Sequence, residues 1–197
     1  MVPPAGRDAA ICDATLTLLA EVGYDRMSMD AVAARARASK ATIYRRWPGK
    51  RELVLDALRR RAEHQPRAAD TGSLRGDLIA TFRAMADQAG AEDAELMAGM
   101  LRAMRCAPEL STCVRDQVVE SKGAALREIV ERAVGRGELP PQADPVLAHE
   151  VASALWIKHV LVVGGQVDDA FIGHVADDVL IPLLSTGSTA STHRETL

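Results

Sequence analysis

The stretch from Ser28 to Lys50 leaves the backbone little choice, because two serines able to cap helices and a proline crowd into it. The Ser28 hydroxyl is placed to accept from an orphan N–H near Asp30 or Ala31, and Asp30 favours the positive end of the helix dipole. Ser39 stands in the same relation to a second helix from about Lys40 to Arg46. Pro48 lacks an N–H and disfavours helical geometry at Trp47, so that helix stops there and the next opens at Lys50. The segment is therefore two short helices joined by a turn at Arg37 and Ala38. Ala31, Ala33, Ala34 and Ala36 are small enough for a neighbouring helix to approach closely, with Val32 as the main apolar anchor.

On the second helix Ile43 and Trp47 lie four residues apart and share one face, the face expected to plug into the core. Lys40 and Tyr44 share another, with Thr42 and Arg45 beside them. A donor-rich surface on a short helix after a tight turn is the layout of a helix-turn-helix, whose recognition helix enters a major groove. Tyr44 and Lys50 are the candidates for DNA phosphates, together with Ser28 and the N–H groups it leads. Lys40, Thr42 and Arg45 are the candidates for base edges, Ala41 for a thymine methyl, and Arg46 stands between core and phosphate.

Ser-Met-Asp-Ala-Val-Ala followed by Ser-Lys-Ala-Thr-Ile-Tyr-Arg-Arg-Trp-Pro-Gly-Lys, and preceded by Leu-Leu-Ala-Glu-Val-Gly-Tyr, closely resembles the N-terminal domain of TetR-type transcriptional repressors. The family usually has a glycine in the turn where this chain has Arg37. A non-glycine residue at positive φ costs about 1 kcal/mol, and Arg37 is an additional candidate for DNA contact. The resemblance implies an all-α fold, with an N-terminal three-helix helix-turn-helix DNA-binding domain and a C-terminal helical ligand-binding and dimerisation domain. It further implies a ligand-responsive repressor that binds a palindromic operator as a homodimer through its last two helices.

Residue pattern agrees along the remaining chain, where β-branched alternation is absent and Gly and Pro fall where helices should stop. A first helix from about Arg7 to Val22 puts Ile11, Leu18 and Val22 on one stripe, ended by Gly23. Turn formers between His64 and Ser73 mark a boundary, giving residues 1–65 as the DNA-binding domain, 66–185 as the effector and dimerisation domain, and 186–197 as a Ser/Thr-rich tail expected to be disordered. Five helices are expected in the second domain: Leu74–Gln88, Asp93–Arg105, Pro108–Gly135, Pro145–Val163 and Asp168–Leu184. The last two are apolar on more than one face, which calls for burial on more than one side, as packing against a second copy provides. Two heads about one helical turn (~34 Å) apart read a palindrome that one short helix cannot.

Charge divides the same way. Residues 1–65 carry 12 Lys and Arg against 8 Asp and Glu, leaving +4, whereas residues 66–197 carry 12 against 19, leaving −7. Only the first third suits a polyanion. No apolar h-region opens the chain and no apolar run approaches a membrane span, so a cytoplasmic protein with no membrane partner is expected.

A small-molecule effector, of unknown identity, is implied by the resemblance. The residues offered for it are Phe82, Met85, Met97, Met100, Leu101 and Met104, a thioether-rich apolar group, with Trp156 and His159 to orient a polar end. The plainer reading of the same methionines is hydrophobic core, since methionines at helical spacing usually fill space. Coupling between effector and operator is expected to run through the fourth helix, which joins head to body. The histidines show no His-x-x-x-His pair and no catalytic fingerprint is present, so no metal, no cofactor and no enzymatic activity are expected. An odd count of three cysteines argues against a disulfide framework. The alternatives are a redox-responsive regulator using Cys106 and Cys113, and a helical effector-binding protein without specific DNA readout.

Overall fold

The structure is a computed structural model that describes residues 4–64, 66–88, 91–106 and 120–186. Among the described residues every regular element is a helix: α1 (Pro4–Arg26), α2 (Met29–Arg35), α3 (Lys40–Arg46), α4 (Lys50–Glu63), α5 (Leu74–Gln88), α6 (Ala91–Cys106), α7 (Glu120–Gly135), α8 (Pro145–Val163) and α9 (residues 169–185). They form two compact units, one built from α1 to α4 with α6, the other from α5 with α7 to α9.

In the first unit α1 is the axis on which α2, α4 and α6 pack, and α3 packs on α2. Gly23, at φ 79°, interrupts its helical geometry where the sequence expects the helix to stop, and one further turn follows. Ile11 and Leu19 of α1, Val32 of α2, Ile43 of α3 and Leu53 and Val54 of α4 have no exposed surface and make one core. Trp47 is buried with them, and its indole N–H donates to Asp56 Oδ2 at 3.0 Å, satisfying a donor that would otherwise be stranded. α6 adds Leu96 and Ala103 to this same core. It comes so near α1 at Gly99 that a β-carbon there would stand 2.5 Å from the Leu19 carbonyl oxygen. Only a glycine lets two backbones meet this closely.

The second unit is centred on Leu78 of α5, Ile129 and Ala133 of α7, Ala148 of α8 and Ile172 and Leu180 of α9. Asp77, fully buried, ties it together: it accepts from the Thr71 N–H at 2.6 Å, the Thr71 hydroxyl at 2.8 Å and Arg136 Nη2 at 3.1 Å. Burial works against the charged carboxylate, but these donors outweigh it and hold Asp77 below the usual carboxylate range. Asp144 caps α8 by accepting from the Val146 and Leu147 N–H groups, and Asp168 caps α9 by accepting from the Phe171 N–H.

α8 is one continuous helix that passes from α-helical to i→i+5 hydrogen bonding over Lys158–Val163 and stops at Gly164, φ 70°. Its 19 residues are long and apolar enough to cross a membrane by length and composition alone, and only 11% of its most apolar window is buried. The expectation that no apolar run approaches a span is corrected accordingly: Glu150 and Lys158 interrupt the apolar run, but the remaining residues keep the mean hydropathy at 1.5.

Candidate nucleic-acid interface

The local chemistry read from the sequence is present in the turn. Ser28 Oγ accepts from the Ala31 N–H at 3.2 Å, and Ser39 Oγ accepts from the Thr42 N–H at 3.1 Å. The Ser39 hydroxyl also shares a 2.8 Å hydrogen bond with the Thr42 hydroxyl, which fixes the first turn of α3. Between the helices Ala38 N–H donates to Ala33 O at 3.0 Å and Arg37 N–H to Ala34 O at 3.3 Å. That pair of bonds is a Schellman closure, and it demands a left-handed residue between them. Arg37 supplies it at φ 51°, the one non-glycine residue at positive φ among the described residues.

Helical geometry then sorts α3 into two faces. Ile43 and, just beyond, Trp47 are buried, while Lys40, Ala41, Arg45 and Tyr44, the last 50% exposed, face solvent. Thr42 is half-buried. The exposed side thus offers an ammonium, a guanidinium, a phenol and a methyl within two turns of helix, with no acidic residue on α3.

The cations divide by what holds them. Lys40 Nζ lies 2.7 Å from Asp30 on α2, and that hydrogen bond, ahead of the charge itself, raises the lysine's pKa. Arg46, exposed on α3, reaches Asp8 of α1 at 3.4 Å. Lys50 faces inward: its ammonium donates to Tyr24 O at 2.8 Å and Met27 O at 3.2 Å and lies 4.2 Å from the Tyr24 ring centroid. It stitches the end of α1 to the start of α4. Arg37 and Arg45 are exposed and without an ion pair among the described residues.

Sequence spacing alone had no access to Asp30 as the partner of Lys40, since the two lie on different helices and meet only once the turn is closed. Nor did it place Lys50 against α1, a contact across more than twenty positions.

The residues offered for an effector fall into two groups. Met100 and Met104 of α6 pack on the first core, and Met97 and Leu101 lie half-buried on the same helix. Phe82, Met85 and Trp156 belong to the second core. There Trp156 stands edge-on to both Phe82 and Phe171, each at 6.2 Å, and His159 stacks on Phe171 at 3.9 Å with Nε2 2.9 Å from Gln166 O. Phe171, which joins Trp156 to His159, is absent from the sequence-derived set. It lies on the next helix, and only the fold reveals it.

Cys113 and the Cys106 side chain, the proposed redox pair, lie outside the described residues. Cys12 is buried in the first core, where loss of solvent, partly opposed by Arg60, pushes its thiol up to about 12. Such a thiol stays protonated and inert.

Two family models match the chain: one described as bacterial regulatory proteins, tetR family, over residues 11–57, and one described as tetracyclin repressor-like, C-terminal domain, over residues 68–179. A DNA-binding transcriptional repressor TetR of Mycobacteroides abscessus is 43% identical over 183 residues, spanning 92% of this chain and 96% of that protein. An HTH-type transcriptional regulator of Mycobacterium bovis is 34% identical over 94% of this chain and 92% of its own length. Among solved structures, a TetR family transcription regulator aligns with a TM-score of 0.66 at 25% identity, covering 88% of this chain and 96% of that one. The regulator FadR of Bacillus subtilis, solved with stearoyl-CoA, aligns with a TM-score of 0.67 at 18% identity over 91% and 98% of the two chains.

Proposed function

Since this chain belongs to the TetR family of transcriptional regulators, we infer that it is a repressor that holds a palindromic operator as a homodimer and releases it when a small molecule binds. DNA binding and transcription regulation follow from the family. One observation carries it: α3 buries Ile43 beside the packed Trp47 and turns Lys40, Ala41, Tyr44 and Arg45 outward, behind a closed turn that fixes the helix on its support. Lys40, Thr42 and Arg45 then serve base edges and Ala41 a thymine methyl. Tyr44, Ser28 and Arg37 serve phosphates. Arg46 and Lys50 act first by positioning the head, given their partners within it. Acting on DNA, the protein works in the cytoplasm.

Dimerisation through α8 and α9 is supported by the apolar surface that α8 leaves open, with Val162 77% and Val163 62% exposed. Burying that surface in a second copy is the simplest way to cover it. The effector reading rests on the aromatic group around Trp156, with His159 able to orient a polar end, and on FadR, a neighbour in fold solved with an acyl-CoA. A ligand that binds one state ~100-fold better shifts operator affinity by about 2.7 kcal/mol, within the reach of one apolar ligand.

Selection of bound sequences from a random double-stranded library, with Tyr44→Ala and Lys40→Ala run in parallel at fixed salt, tests the core of this reading. A palindrome enriched by the wild type and lost in both variants supports it, and the absence of any enriched sequence overturns operator readout by α3.

A further inference from the structure

The first unit carries a second feature beside the helix-turn-helix: a groove of about 610 Å³ between the end of α1 and the last turns of α6. Val22, Tyr24 and Ala103 give it apolar walls. Arg26, Arg102 and Arg105 bring three guanidinium groups to it against a single carboxylate among the lining residues, that of Asp25. Arg102 and Arg105, three apart on α6, share a face, and both are exposed without an ion pair among the described residues. Arg26 is anchored by its Nε, which donates to Val22 O at 3.0 Å and leaves the two terminal nitrogens of the guanidinium for another acceptor.

Along the chain the groove adjoins Ser28, one of the residues assigned above to DNA. Its α1 wall runs through Arg26 and leads within two residues to Ser28, the cap that opens the N-terminus of α2. The same wall holds the first residue of α4, since Lys50 donates to the carbonyls of Tyr24 and Met27. Lys50 satisfies those carbonyls from within the head, so the cations that line the groove are α6's own and Arg26.

We propose that this groove takes the sugar-phosphate backbone of DNA flanking the base pairs that α3 reads, with Arg102 and Arg105 donating to phosphate oxygens and Arg26 closing the near end. The proposal rests on the reading of the head as a DNA binder and adds α6, a helix outside the helix-turn-helix, to its footprint. Guanidinium groups suit this task because their paired N–H donors match two phosphate oxygens at once. The apolar walls suit the deoxyribose edge between phosphates. Contacts of this kind carry no base information, so they raise affinity for all sequences alike.

The experiment compares full-length wild type with Arg102→Gln/Arg105→Gln by fluorescence anisotropy across a salt series. Two duplexes are used, the selected operator alone and the operator with about one helical turn (~34 Å) of flanking DNA on each side. The expected result is affinity about tenfold lower for the variant on the extended duplex, with a log–log salt slope shallower by about 2 or more in a dimer, since each phosphate contact contributes ~0.9. Its affinity for the trimmed operator, its ranking of operator variants and its Tm stay as in the wild type. Equal binding of the extended duplex, or an equal loss on both duplexes, overturns the proposal. So does inorganic phosphate that binds the DNA-free wild type, fails to bind the variant, and leaves DNA affinity equal in the two. Failure of the parent reading looks different: wild type would then show no operator preference at all, while the salt slopes on arbitrary DNA would still report the arginines.

Discussion

Replacing Arg37 by glycine separates the two roles this residue combines, holding a left-handed turn and presenting a guanidinium. At φ 51° its β-carbon crowds a carbonyl oxygen, a cost of about 1–2 kcal/mol for an L-residue. Glycine removes that crowding but returns roughly 0.5–1 kcal/mol of freedom to the unfolded chain. The balance makes Arg37→Gly more stable by roughly 0.5–1 kcal/mol, which in a chain of this size raises Tm by about 1–4 °C. Arg37→Ala keeps the β-carbon and the strained turn, so its Tm stays at the wild-type value. Both variants lack the guanidinium, so both bind DNA less tightly, with salt slopes shallower by ~0.9 for each phosphate that is no longer neutralised. Calorimetric melting of the three proteins, with anisotropy titrations at several salt concentrations, reads both effects. If Arg37→Gly melts no higher than Arg37→Ala, the assignment of strain to the Schellman turn is wrong. If slopes are unchanged in both, Arg37 does not reach the DNA backbone.

Three further outcomes follow from the packing. Gly99→Ala places a methyl 2.5 Å from a carbonyl oxygen of α1 that no rotamer can move, so despite the better helix propensity it lowers stability by about 1–3 kcal/mol, seen as a lower denaturation midpoint; a midpoint at or above wild type refutes the close approach. Asp77 has its carboxyl pKa depressed by folding, so its contribution is fully present above its unfolded value of about 4 and is lost as pH falls through that value toward the lower folded one; urea midpoints from pH 7 to 3 should therefore fall more steeply for wild type than for Asp77→Asn, and parallel curves would contradict it. Cys12, with its thiol pushed up to about 12, should resist iodoacetamide in the native protein and react once the chain is unfolded; rapid labelling of the native state at this residue would show that the first core opens readily.

The parts of this molecule that were legible in its sequence are those set by neighbours along the chain. Ser28, Ser39 and Asp168 cap helices because a side-chain oxygen two or three residues from an orphan N–H has one obvious use. Ile43 and Trp47 turned inward because helical spacing leaves no alternative once Tyr44 and Lys40 are outside. What stayed hidden needed two distant segments to meet. The sequence assigns Met97, Met100 and Met104 to the body because they follow the break at residues 64–73, yet α6 packs on α1 and gives Leu96 and Ala103 to the first core. The signal was Gly99, a glycine in mid-helix where propensity disfavours it, which marks a close approach without naming the partner. Lys50 reads as an exposed base in a DNA-binding motif, and nothing local says that two carbonyls of α1 claim it.

The meeting of α1 and α6 at Gly99 also has a mechanical side. Where helices touch through long side chains, rotamer changes absorb a small displacement of either one, as a cushion would. Here main chain rests against main chain, with the Leu19 carbonyl carbon and oxygen both within 3.2 Å of where a β-carbon would stand. Such a joint has almost no slack, since close-packed atoms cannot be compressed and there is no rotamer to yield. α6 therefore bears directly on the first helix of the DNA-reading head, and a displacement of either helix toward the other is delivered to it nearly undiminished.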